Sequence, residues 1–115
     1  MDLQLKVELV GKQQVVITLA GILNAINAMT LKNQIKTLVA EGRKHVIIEM
    51  SGVSFIDSSG LAALVSGLKT VRSVDGSLKL AAVSEQPRDV FKLTMLERVF
   101  SFYPTPQAAL DAKES

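Results

Sequence analysis

From Met1 to Glu8 the chain alternates apolar and polar side chains, the period-two signature of a half-buried strand. Leu3 to Val10 and Val15 to Ala20 read as two strands joined by Gly11-Lys12-Gln13-Gln14, a hairpin connection. Gly21 breaks that pattern. From about Ala25 to Ala40 the period changes to that of a helix, with Ile26, Leu31, Ile35, Leu38 and Val39 on its apolar side. Gly42 stands where a helix stop is needed, and Arg43 and Lys44 complement the helix dipole. Val46, Ile47 and Ile48 are apolar and β-branched in succession, which predicts a strand covered on both faces from about His45 to Met50. A short loop follows. Leu61, Leu64, Val65 and Leu68 then mark a second helix, from about Ser59 to Val74, ending before the Asp75-Gly76 turn. Leu78 to Val83 is a further strand, and Pro87 opens a third helix continued by Val90, Phe91 and Leu93-Thr94-Met95-Leu96. Val99 to Tyr103 is the last strand, and Pro104, Thr105 and Pro106 start a terminal helix through Leu110.

Strands and helices that alternate from Val15 onward argue for an α/β fold with a mostly parallel sheet, made mixed by the N-terminal hairpin. The expectation is one domain over residues 1–115, with about five strands and about four helices. A hydrophobic content of 48% excludes a disordered chain. The absence of Cys excludes a disulfide framework, a zinc cluster and a thiol nucleophile, and fits a reducing cytoplasm. The start is too polar for a signal peptide, and every apolar run is broken before it reaches bilayer length, so no membrane insertion is expected. The net charge is only +2, with the 13 Lys and Arg scattered, and the chain has one Tyr and no Trp. That is a solvated surface rather than a nucleic-acid footprint, so no direct nucleic-acid partner is expected.

Chemistry concentrates where the central strand hands over to the second helix. Asp57, Ser58 and Ser59 supply N-cap side chains beside backbone N–H groups that lack intrahelical partners. A phosphate there would carry about −1.5 to −2 charges next to Asp57. It would repel anionic groups and resist desolvation, while the helix N-terminus stabilised it within the protein. Either Asp57 or Ser59 can serve as the N-cap, and Ser58 itself can be read as a cap. Gly60 is placed to let another backbone come close, and Leu61 points to the core. Along the second helix runs a row of small residues, Ser59, Ala62, Ala63, Ser66, Gly67 and Thr70. It is either a docking face that starts at Ser58 or a packing face within the molecule.

Phe55-Ile56-Asp57-Ser58-Ser59-Gly60-Leu61, with the preceding strand and the following apolar helix, closely resembles the phosphorylation motif of bacterial anti-sigma factor antagonists, which are single STAS domains. Gly21-Ile22-Leu23 and the segment from Pro87 to Val99, with a small hydroxyl residue at Thr94, fall in the family's order. The resemblance implies a STAS fold with Ser58 as phosphoacceptor. The unphosphorylated form would bind an anti-sigma factor that is also a serine protein kinase and so release a sigma factor. A cognate phosphoserine phosphatase would reverse the modification. Asn24, Asp57, Ser58, Ser59, Gly60, Ala62, Ala63 and Ser66 are the expected partner-binding residues. Asn24 departs from the family, which usually carries an acid there; it can tune recognition or cap the first helix. No cofactor is expected, and a monomer in isolation is.

An enzyme is not expected. Ser58 does not lie in a Gly-x-Ser-x-Gly elbow. The sole histidine, His45, starts the strand that ends near Ser58, so the two stand roughly 15 Å or more apart. No Walker loop or dinucleotide fingerprint occurs. The alternative within the same family is a STAS interaction subunit of another system, a lipid transporter or another kinase-controlled pathway, in which Ser58 is not phosphorylated.

Overall fold

The strand-forming segments assemble into one five-stranded sheet in a computed structural model that describes residues 2–112. The order along the sheet is β1 (Leu3–Val10), β2 (Gln14–Leu23), β3 (His45–Ile56), β4 (Ser77–Ala81) and β5 (Ser101–Tyr103). The β1–β2 hairpin is antiparallel and every other pair is parallel. The helices are α1 (Ala28–Ala40), α2 (Ser58–Arg72), α3 (Glu85–Leu93) and α4 (Pro106–Asp111), with a 3-10 turn, η1, at Leu96–Arg98. The expected α/β architecture, with its N-terminal hairpin, is the one observed.

The two faces of the sheet are covered unequally. Val15, Ile17 and Leu19 of β2, Val46, Ile48 and Met50 of β3 and Leu78 and Leu80 of β4 bury one face beneath α1, α2 and Phe91 of α3. Phe91 meets Phe100 and Phe102 edge to face, at centroid distances of 5.2 and 5.3 Å. On the other face a smaller cluster of Val16, Ile47 and Ala81 packs against Ala109 of α4. Lys79, only 5% exposed, anchors that helix by donating to the carbonyls of Ala109 and Ala112, both at 3.1 Å.

Several boundaries depart from the sequence reading, each for a local reason. Gly21 does not end β2. It adopts φ +109°, and a Cβ there would lie 2.2 Å from the carbonyl oxygen of Asp2, so glycine lets the hairpin pair close and the strand run on. The segment after Met50, expected as a loop, continues β3 to Ile56 because β2 is there to pair with it. The pairing carries two irregularities: Thr18 and Ala20 face Glu49 and Gly52, and Gly21 and Ile22 face Val53 and Phe55. Each inserts one extra residue on β3. Two such steps restore the original parity, so Val46 and Ile56, at opposite ends, join the same core.

The first helix starts later than expected. Ile26, expected on its buried side, precedes it in a turn and is 92% exposed. Its end follows the expectation at Gly42, with Gly42 N–H donating to Val39 O and Arg43 N–H to Leu38 O, the Schellman pattern. Arg43 does not turn back to the helix. Its guanidinium reaches the carbonyls of Gly11 and Gln14 in the hairpin turn. The third helix begins at Glu85 rather than Pro87 and stops at Leu93, because Met95 takes a left-handed conformation with φ +62°.

Candidate partner-binding site at the head of α2

Asp57 is the N-cap of α2, which decides between the candidates for that role and removes Ser58 and Ser59 from it. Its backbone is extended, its Oδ1 accepts from Gly60 N–H at 2.8 Å, and its Oδ2 accepts from Ala25 N–H at 3.2 Å. One carboxylate therefore joins the start of α2 to the loop after β2. The loop is ordered by two asparagines. Asn24 Oδ1 accepts from Ile26 N–H at 3.0 Å, and Asn27 Oδ1 accepts from Asn24 N–H at 3.0 Å. Asn27 Nδ2 donates to Ile22 O at 2.8 Å. Asn24 thus shapes the turn beside the serines and does not cap α1, whose N-cap is Asn27.

Gly60 makes this approach possible. A Cβ at Gly60 would lie 2.6 Å from the carbonyl oxygen of Leu23, and that carbonyl also accepts from Asp57 N–H at 3.2 Å. The end of β3 is held from the other side by Gln86 of α3. Its Oε1 accepts from Ile56 N–H at 2.9 Å and its Nε2 donates to Ile56 O at 3.2 Å. With β4 ending at Ala81, this amide replaces the missing strand partner.

Ser58, at the first position of α2, is exposed, and its hydroxyl makes no hydrogen bond among the described residues. Ser59 is half-buried. Ser59 and Ala62 line a cleft of about 280 Å³ against Ala28, Met29 and Lys32 of α1, while Ser58, Ala62 and Ser66 line a second groove that extends to Leu96. Lys32 borders both.

The small-residue row divides between its two readings. Ser59 and Ser66 are half-buried and Ala62 is exposed. Ala63 and Gly67 turn inward: Ala63 is 4% exposed and forms only the floor of the first cleft, and a Cβ on Gly67 would meet Ile35 Cδ1 of α1 at 2.7 Å. Gly60 is buried too, so of the expected partner-binding set Gly60 and Ala63 support the surface from beneath.

Gln86 was missed because it works through a backbone group 30 residues away in the chain, and Asn27 because it bonds back to Asn24 and Ile22 rather than to the helix it precedes. His45 lies at the far end of β3, where its Nδ1 contacts Ser77 Oγ at 2.9 Å. Among the described residues no group of three or more His, Asp or Glu is placed to hold a metal, and no helix is long and apolar enough to cross a membrane.

A mixed sheet that carries an exposed serine on a capped helix, beside two clefts, is a fold of the α/β class. The STAS domain family model matches residues 6–109, and the chain belongs to the STAS domain family. It is similar to the anti-sigma-B factor antagonist of Bacillus subtilis, 30% identical over 89 residues that cover 77% of this chain and 81% of that protein. Among solved structures it resembles an anti-sigma factor antagonist from Mycobacterium paratuberculosis, with a TM-score of 0.84, 26% identity and coverage of 95% of this chain and 92% of that one. It also resembles the Bacillus cell fate determinant SpoIIAA in its phosphorylated form, with a TM-score of 0.77, 26% identity and coverage of 94% and 97%.

Proposed function

We propose that this chain is an anti-sigma factor antagonist controlled by phosphorylation of Ser58. In its unphosphorylated form it binds an anti-sigma factor that is also a serine kinase, and so frees a sigma factor. Transfer of the γ-phosphoryl group of ATP to Ser58 Oγ releases ADP, passes the hydroxyl proton to the kinase and ends the binding. A phosphatase then uses water to return the hydroxyl and release inorganic phosphate. The protein supplies a surface and an acceptor, and performs no catalysis itself.

The observation that carries this reading is the state of Ser58. Asp57 does the capping, so the Ser58 hydroxyl is left exposed, without a hydrogen bond among the described residues, in the lining of a groove. A phosphate there stands beside the Asp57 carboxylate and the unpaired N–H groups of the first turn. The helix end tolerates the new charge, whereas a surface pressed against the groove would have to desolvate it. Asn24, Ser59, Ala62 and Ser66 form the rest of the proposed contact surface.

Affinity capture from native extract with wild type, Ser58→Ala and Ser58→Asp tests the reading. Wild type and Ala are expected to retain an ATP-binding protein that phosphorylates Ser58, and Asp to lose it. Equal retention by all three would reject the switch.

A further inference from the structure

The turn after α3 presents large apolar side chains that the core does not use. Leu93 is 84% exposed and Met95 62% exposed. Met95 also holds a left-handed backbone with φ +62°, a conformation that glycine adopts freely and that a residue with a Cβ resists. The turn is nonetheless firmly tied. Thr94 Oγ1 donates to Val90 O at 2.7 Å, and Arg88 pairs with Glu97 at 3.4 Å while lying over the Phe102 ring at 3.9 Å. A strained, exposed methionine on a braced turn adds nothing to burial, so its side chain is available for an external contact. Leu96, the next residue, packs on the core and lines the groove that contains Ser58.

We propose that Leu93 to Leu96 is a second docking element for the anti-sigma factor kinase that engages Ser58, with Met95 as its apolar anchor. This rests on the function proposed above. A kinase that takes Ser58 into its active site must cover the groove beside it, and Leu96, which lines that groove, is the chain neighbour of the exposed Met95. The partner therefore carries an apolar recess next to its catalytic cleft. Phosphorylation acts on the Ser58 end of the interface and leaves the Met95 end unchanged.

The test uses the kinase purified through its activity on Ser58, with affinities measured by calorimetry on the full chain. Met95→Gly relieves the backbone strain, so it is expected to melt at or above the wild-type temperature while binding at least ten-fold more weakly. Leu93→Ser, at a position too exposed to unfold the protein, is expected to weaken binding at least three-fold with unchanged melting. Affinities within two-fold of wild type for both variants would overturn the proposal, as would a lower melting temperature for Met95→Gly, which would place that side chain in internal packing. Ser58→Asp measured alongside separates the two readings. If Asp abolishes binding and the turn variants do not change it, only the second docking element fails. If Asp binds like wild type, the phosphoswitch fails, whatever the turn variants do.

Discussion

Gly60 lacks the one atom that would hold α2 away from the end of β2, and the position of Ser58 depends on that absence. Gly60→Ala places a methyl group 2.6 Å from a backbone oxygen rather than from a movable side-chain tip. Overpacking of that kind costs about 1–3 kcal/mol, and thermal melting should show the loss. Asp57→Ala removes the cap and the link to Ala25 together, with an expected cost of about 1–2 kcal/mol by denaturant titration. Gln86 is the less obvious dependence. Gln86→Ala leaves both backbone groups of Ile56 without their partner, and an unsatisfied buried group costs about 1–3 kcal/mol. Amide exchange at Ile56 should rise by more than exchange in β2, which identifies the loss as local.

At the scale of elements, α2 uses two adjacent edges for different tasks. Gly67 and Ala63 bring it close to α1, while Ala62 and Ser66 remain at the surface. Ser66→Phe should therefore leave the melting temperature unchanged and weaken binding of the proposed kinase partner at least ten-fold, whereas Gly67→Val should lower the melting temperature. The same division shows what was legible beforehand. Period and punctuation revealed all five strands, all four helices, the Gly42 stop and the serine-bearing junction, because each is encoded in neighbouring residues. The small-residue row could not be divided in advance, because which edge faces α1 depends on how two helices dock. The extension of β3 past Met50 was hidden for a similar reason: Ser51, Gly52 and Ser54 look like loop residues, and only pairing with β2 makes them strand. Ile26 matched the helical period, yet the Asn24 turn takes it out of the helix.

For the whole molecule, the main core lies under α1 and α2, and Ser58 stands at the rim of that assembly without contributing to it. Its modification should change what binds and leave what folds unaltered. Phosphorylated and unphosphorylated protein are expected to melt within about 4 °C of one another, since 1 kcal/mol moves a protein of this size by roughly that much or more. Amide shift changes should be confined to residues near 24–27 and 57–60. Phe91 and Ile48, deep in the core, should not respond.

The two extra residues on β3 have a consequence for how this gene can change in length. Each irregularity holds one residue of β3 that has no opposite number on β2, so losing that residue straightens the strand and leaves Ile56 opposite Leu23, with α2 still beside α1. A single-codon deletion at either irregularity is thus expected to be tolerated better than one among Val46 to Glu49, where every residue is paired in regular register. Deletion within that regular stretch turns the apolar set of the strand to the wrong face, so viable changes of length along β3 are expected to cluster between Glu49 and Phe55.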